Sequence, residues 1–174
     1  PYNLTFLNFF TFSSILFLTF FIKKKTQTKY RKKKSNKYFF FLGLAFGFGF
    51  FLFGNYWISI SLTHDDSFKS LIPFALILIP LFLSLFFGFV FLVIGPFSEK
   101  KISFIFLFSL TFSLFEFIRG NVLTGFPWNL MSYSWSWSIE IIQVLSLIGT
   151  YSLSLISITL FCTPVLFFQK NNKK

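Results

Sequence analysis

Long apolar runs separated by short polar ones dominate this chain. Five stretches, 4–22, 39–60, 71–94, 102–118 and 147–168, are apolar nearly throughout. A helix that crosses a bilayer needs about 20 such residues at ~1.5 Å rise each, with an accepted range of roughly 17–25. A half-buried strand would alternate apolar and polar positions, and a surface helix would carry a polar face; these runs do neither. The predicted fold class is all-α: a polytopic transmembrane helical bundle of about five spans. Residues 1–174 form one platform domain, since no repeat of fixed period and no Gly/Ser linker divides them.

Composition excludes a soluble globule. The chain is 55% hydrophobic and 12% charged, with mean hydropathy +0.72, which leaves too little polar surface for 174 residues in water. The 33 phenylalanines, with abundant Lys, Ile and Asn, read as a compositional bias, so a single Phe carries little weight. The one Cys excludes an intramolecular disulfide framework.

Charge orients the spans. Nine of the sixteen Lys and Arg lie between Lys23 and Lys37, Lys100 and Lys101 sit in the next alternate loop, and Lys170, Lys173 and Lys174 follow the last span. The other loops carry Asp65, Asp66 and Glu140, with Lys69 and Arg119 as their cations. By the positive-inside rule, 23–37, 95–101 and 169–174 are cytoplasmic, and the chain begins outside and ends inside. The net charge of +11 raises the question of nucleic acid. A polybasic loop set against two spans is an orientation signal and an anionic-lipid contact, so membrane lipids are the expected partners and nucleic acid is not. Pro1 is no initiator residue and no basic segment precedes the first span, so the chain reads as an internal fragment with at least one helix upstream.

Residues 116–128, EFIRGNVLTGFPW, break the apolar pattern. Glu116 and Arg119 are three apart and share a helix face. Counted from Ile102 they lie about 21 and 25 Å along the axis, in the outer third of the span. One reading is a snorkelling Arg paired with its own helix neighbour. The other is a fixed cation, oriented by a carboxylate, facing a phosphate or carboxylate group of a lipid at the outer interface. In the following Thr124-Gly125-Phe126-Pro127-Trp128 run, Gly permits unusual backbone angles, Pro fixes φ and restricts Phe126, and Trp suits the headgroup region. Irregular backbone at membrane depth is tolerated where it is buried in protein or lines a wet cavity, so a cavity mouth is expected here.

Other candidates are weaker. Tyr133, Trp135 and Trp137 read mostly as an aromatic belt, and Asn55 with Tyr56 and Trp57 as interhelical glue. Gly43, Gly47 and Gly49 have small-xxx-small spacing, which signals close helix packing; GFGFF follows no strand and is no nucleotide fingerprint. His64, Asp65 and Asp66 are adjacent on one short loop, an arrangement that rarely converges on a metal. Cys162 has no local base and reads as an apolar filler. No cofactor or metal is expected, and no catalytic residue is found in the chain.

EFIRGNVLTGFPW, then Tyr133, Gln143 and IGTYSLS at 148–154, resembles the membrane region of bacterial apolipoprotein N-acyltransferases, which carry an E-x-x-R-G, TGFPW and GY run and then G-x-Y-G-x-S. FGFGFFLFGNYWISISL is similar to the family's Gly-rich span, and Pro1-Tyr2-Asn3-Leu4 to the segment after its first helix. Ser132 stands where Gly is usual before the Tyr, and Ser152 replaces the Gly after Tyr151. The resemblance implies transfer of an acyl chain from a phospholipid donor to the N-terminal amine of a diacylglyceryl apolipoprotein acceptor, the last step of lipoprotein maturation. It implies a bacterial inner-membrane location with the reactive side facing the periplasm. It also implies a downstream nitrilase-like domain with a Glu-Lys-Cys triad, no part of which matches this chain. Glu116, Arg119, Gly125, Phe126, Pro127, Trp128, Tyr133, Asn55 and Trp57 would then bind lipid or support the site. Two other readings stay open: a lipid-binding or transport module, and the membrane platform of a polyprenol-phosphate glycosyltransferase.

Overall fold

The computed structural model describes residues 5–26, 32–99, 102–122 and 125–167. Parts of the first two basic segments, all of 169–174, the 1–4 resemblance, Thr124, the start of the first expected span and the end of the fifth lie outside them. The described residues form helices α1 (Leu7–Thr26), α2 (Lys32–Gly54), α3 (Trp57–Ser61), α4 (Ile72–Ile94), α5 (Ile102–Asn121), α6 (Ile139–Gln143), α7 (Leu145–Ile148), α8 (Thr150–Cys162) and α9 (Pro164–Phe167). Five helical stretches among them are long and apolar enough to cross a membrane: Leu7–Thr26, Lys34–Gly54, Asp66–Phe97, Ile102–Asn121 and Thr150–Phe167.

The long helices close a ring: α1 packs on α2, α2 on α4, α4 on α5, α5 on α8, and α8 back on α1. Its centre is a network of phenylalanines. Phe12 of α1 meets Phe46 of α2, Phe108 and Phe112 of α5 and Phe161 of α8, with centroids 5.7–6.3 Å apart, and Phe87 of α4 sits 4.6 Å from Phe112. Lipid is as apolar as these rings, so burial alone does not hold the helices together; packing contacts do, with about 0.5–1.5 kcal/mol for a well-placed aromatic pair. The compositional bias in Phe has thus been turned into a specific core, which the sequence reading undervalued. Gly43 and Gly47 lie against α4, where a Cβ would meet the backbone and side chain of Phe87, so the small-residue spacing does mark close packing. Gly49 faces open space and takes no part.

Two expected spans are interrupted or shortened by local backbone breaks. The apolar run 39–60 is not one helix: α2 ends at Gly54, and α3 restarts at Trp57. Asn55 sits at the break, 3% exposed, and its side chain is held by Asn129. Hydropathy does not register such a partner. The last span starts at Thr150 rather than 147, because Gly149 adopts φ 78° and separates it from α7.

Hydrogen bonds fix the two ends of the ring. At one, Thr5 donates to the Ser134 carbonyl at 2.6 Å and accepts from the Trp137 indole at 2.8 Å. At the other, Thr26 of α1 bonds Ser35 of α2 at 3.0 Å, Phe20 packs on Phe104 near the start of α5, and Phe39 lies against Gly95. Residues flanking the first two basic segments therefore gather at one end, and loop 125–138 caps the other.

Candidate functional site

The site forms where α5 ends and loop 125–131 folds back over it. Glu116 and Arg119 are one turn apart on α5 and are 1% and 2% exposed. They form no ion pair with each other. Each grips a different part of the loop. Arg119 Nη1 donates to the carbonyls of Phe126 at 3.2 Å and Trp128 at 2.8 Å, and its guanidinium lies 4.9 Å from the centroid of Phe51 on α2. Glu116 Oε1 accepts from the Met131 amide at 3.0 Å. The cation satisfies carbonyls and the carboxylate satisfies an amide, which is how irregular backbone can be held beneath a membrane surface. The expected carboxylate–guanidinium partnership is corrected accordingly: shared helix face is right, direct pairing is not. The i,i+3 spacing brings two side chains near each other but does not outweigh three backbone groups that need partners.

Backbone conformation completes the fold-back. Gly125 has φ 71°, its amide reaches the Val122 carbonyl at 3.0 Å, and the Phe126 amide bonds the Arg119 carbonyl at 3.2 Å. Asn129 has φ 55°, a left-handed conformation that Asn tolerates better than most residues. Its side chain donates to Asn55, which ties the loop to the break after α2. Trp57 and Trp128 lie 5.3 Å apart by centroid and join α3 to the same loop.

Beside the guanidinium is a cavity of about 370 Å³, lined by Ile58 of α3, several apolar residues of α4 including Leu78, Ile79 and Phe82, and Arg119, Val122, Gly125 and Phe126. Arg119 is the one charged residue among the described residues that line it. Among the described residues, the Nε and Nη2 of Arg119 have no hydrogen-bond partner, nor has Glu116 Oε2. Leaving a buried donor unmet costs about 1–3 kcal/mol, and more when it is charged.

Of the residues singled out in sequence, Glu116, Arg119, Gly125, Phe126, Trp128, Asn55 and Trp57 come together around this fold-back. Pro127 is exposed, next to Gly120. Tyr133 is 47% exposed on the turn Met131–Trp135 and does not line the cavity. Trp135 is more than belt: its indole donates to Ser157 at 2.8 Å and stacks on Phe161, 5.8 Å away. Asn129, Met131, Phe51 and Tyr151 were missed as site residues. The Tyr151 hydroxyl fills the space where a side chain at Gly120 would go, and its carbonyl accepts from Ser113 at 2.7 Å. Asn129 carried a sequence signal, a polar residue next to a Pro-Trp turn, and Tyr151 lies in the IGTYSLS segment that carries part of the resemblance. Among the described residues no three His, Cys, Asp or Glu side chains converge as a metal site. Asp65 instead caps the turn Asp66–Leu71, Lys69 pairs with Asp66, and Cys162 is buried in the core.

Five membrane-length helices around an apolar core, with a buried cation clamping a loop at one end, define a multi-pass membrane protein. The family model described as the apolipoprotein N-acyltransferase N-terminal domain matches residues 1–163, and the chain belongs to that family. It is 42% identical over 129 residues to the apolipoprotein N-acyltransferase of Rickettsia bellii (strain RML369-C), covering 74% of this chain and 26% of that protein. The Rickettsia typhi (strain ATCC VR-144 / Wilmington) protein of the same name is 40% identical over 133 residues, 76% of this chain and 27% of its own length. That of Rhodopseudomonas palustris (strain ATCC BAA-98 / CGA009) is 33% identical over 132 residues, 73% and 24% respectively. The chain thus spans about a quarter of the length of these relatives. No solved structure matches it.

Proposed function

We propose that this chain is the membrane part of an acyltransferase that moves an acyl chain from a phospholipid to the N-terminal amine of the diacylglyceryl-Cys of apolipoproteins. It would act in the bacterial inner membrane with the Arg119 end facing the periplasm. The observation that carries this reading is the apolar cavity with a buried guanidinium at its wall, two of whose nitrogens have no partner among the described residues. An acyl chain fits the apolar lining, and the ester or phosphate oxygens at its polar end would satisfy Nε and Nη2. The cavity volume corresponds to roughly a dozen water-sized groups, which suits part of one chain rather than a whole two-chain lipid. The covalent steps belong to a nitrilase-like domain downstream; the role of residues 1–174 is to hold the donor in place, and proximity supplies a large part of such a rate.

The test is the whole protein carrying Arg119 variants, in a strain depleted of its own enzyme, with mass spectrometry of lipoprotein N-termini and a membrane-fraction immunoblot. Arg119→Ala should insert normally and lower acylation roughly 10- to 100-fold, the equivalent of about 1.5–3 kcal/mol for a lost charge-assisted hydrogen bond. Arg119→Lys should rescue partly, since an ammonium lacks the planar fork. Normal growth and acylation with Arg119→Ala would remove the site from the mechanism.

A further inference from the structure

At the opposite end of the bundle, the outward face of α1 carries a groove of about 680 Å³ that the acyltransferase reading does not use. It is lined by Ser14, Phe17, Leu18, Phe20, Phe21 and Lys24. Positions 14, 17, 18, 21 and 24 follow helical spacing and form one stripe, while Phe12, Ile15, Leu16 and Thr19 on the other face are buried in the bundle. From Ser14 to Lys24 the groove runs ~15 Å, about half the ~30 Å hydrocarbon thickness, the depth of one leaflet. Phe20, packed 5.5 Å from Phe104 of α5, forms part of its wall. Leu18 and Phe21 remain 48% and 53% exposed.

We propose that this groove binds an anionic phospholipid, with an acyl chain along Phe17–Phe21 and the phosphate at Lys24. Charge complementarity selects this occupant. Lys24 is the charged lining residue and stands at the polar end, flanked by Lys23 and Lys25, in a segment 23–37 that contains nine cations and no acid. The Lys25 ammonium rests 4.7 Å from the Phe21 ring centroid, which draws a second positive charge towards the same mouth. A zwitterionic lipid would gain little from three adjacent lysines, and a neighbouring helix would leave Lys24 without a counter-charge. The site is independent of the Arg119 cavity, which lies at the other end of the ring.

The test uses the protein in nanodiscs with photoactivatable phosphatidylglycerol or phosphatidylcholine, each carrying its diazirine on the acyl chain, followed by peptide mapping. Phosphatidylglycerol should label residues 14–21 and phosphatidylcholine should do so only weakly. Lys24→Gln should reduce labelling about fivefold, as expected for one basic residue at a membrane surface, and Lys23→Gln/Lys24→Gln/Lys25→Gln should reduce it further. Leu18→Trp, which fills the groove and leaves the lysines in place, should abolish it. Equal labelling by the two lipids, no loss with Lys24→Gln, or cross-linking of a cysteine at position 18 to another helix of the protein with no lipid label would each overturn the proposal.

Discussion

Replacing Gly125 by Ala adds one methyl group at the pivot of the loop and tests whether the fold-back is built as described. With φ at 71°, an L-residue there carries a penalty of about 1–2 kcal/mol. The added Cβ would also lie 2.5 Å from the Gly120 carbonyl oxygen, which belongs to α5 and cannot swing away as a flexible side chain could. Overpacking of this kind costs about 1–3 kcal/mol. Together the two effects give roughly 2–5 kcal/mol, which for a chain of this size lowers Tm by ~4 °C or more. Gly49→Ala is the matched control: it is helical, nothing lies within 4 Å of its Cβ position, and the change should stabilise by about 0.5–1 kcal/mol. Thermal unfolding in detergent, followed by tryptophan fluorescence, reads both variants. Gly125→Ala should melt below wild type, Gly49→Ala at or above it, and Gly125→Val lower still because a β-branched side chain avoids this conformation more strongly. A Gly125→Ala protein that melts no lower than Gly49→Ala would refute the argument that backbone geometry at 125 supports the site.

The remaining predictions concern orientation, the Asn latch and autonomy. Outside-only thiol labelling of single cysteines at Lys29 and Ser67, in a Cys162→Ser background, should modify position 67 alone; strong labelling at 29 would invert the proposed topology. Asn129→Gly keeps the left-handed backbone but loses the bond to Asn55, whereas Asn129→Ala loses both, so Ala should be the less stable by about 1–2 kcal/mol in the same unfolding assay; equal stability would show that φ at 129 is unimportant. Residues 1–174 expressed alone should reach the membrane fraction yet yield no N-acylated lipoprotein in depleted cells, and detectable product would place the covalent chemistry within this chain.

Much of this protein was already decided by its linear pattern. Runs of some twenty apolar residues have few stable outcomes in a bilayer other than helices, because every backbone donor and acceptor must find its partner within the segment. The five spans, their helical character and the segment 116–128 as the departure from that pattern followed directly. Gly125 was also legible, because a glycine just before Phe-Pro-Trp signals backbone that other residues resist. What hydropathy could not supply was the partner of each polar group. The break of α2 at Asn55 depends on Asn129, 74 residues later. Glu116 and Arg119 looked like a pair on one helix because local spacing is all a sequence displays; in three dimensions the loop offers each a better-matched backbone partner, and they separate to take it. The same holds for the phenylalanines, interchangeable as letters and distinguished only by which ring each meets across the bundle. Helix formation in lipid is a local matter of satisfying the backbone, and so it is readable from sequence. The Arg119 cavity and the Asn55–Asn129 latch join side chains far apart in the chain, and only tertiary packing brings them together.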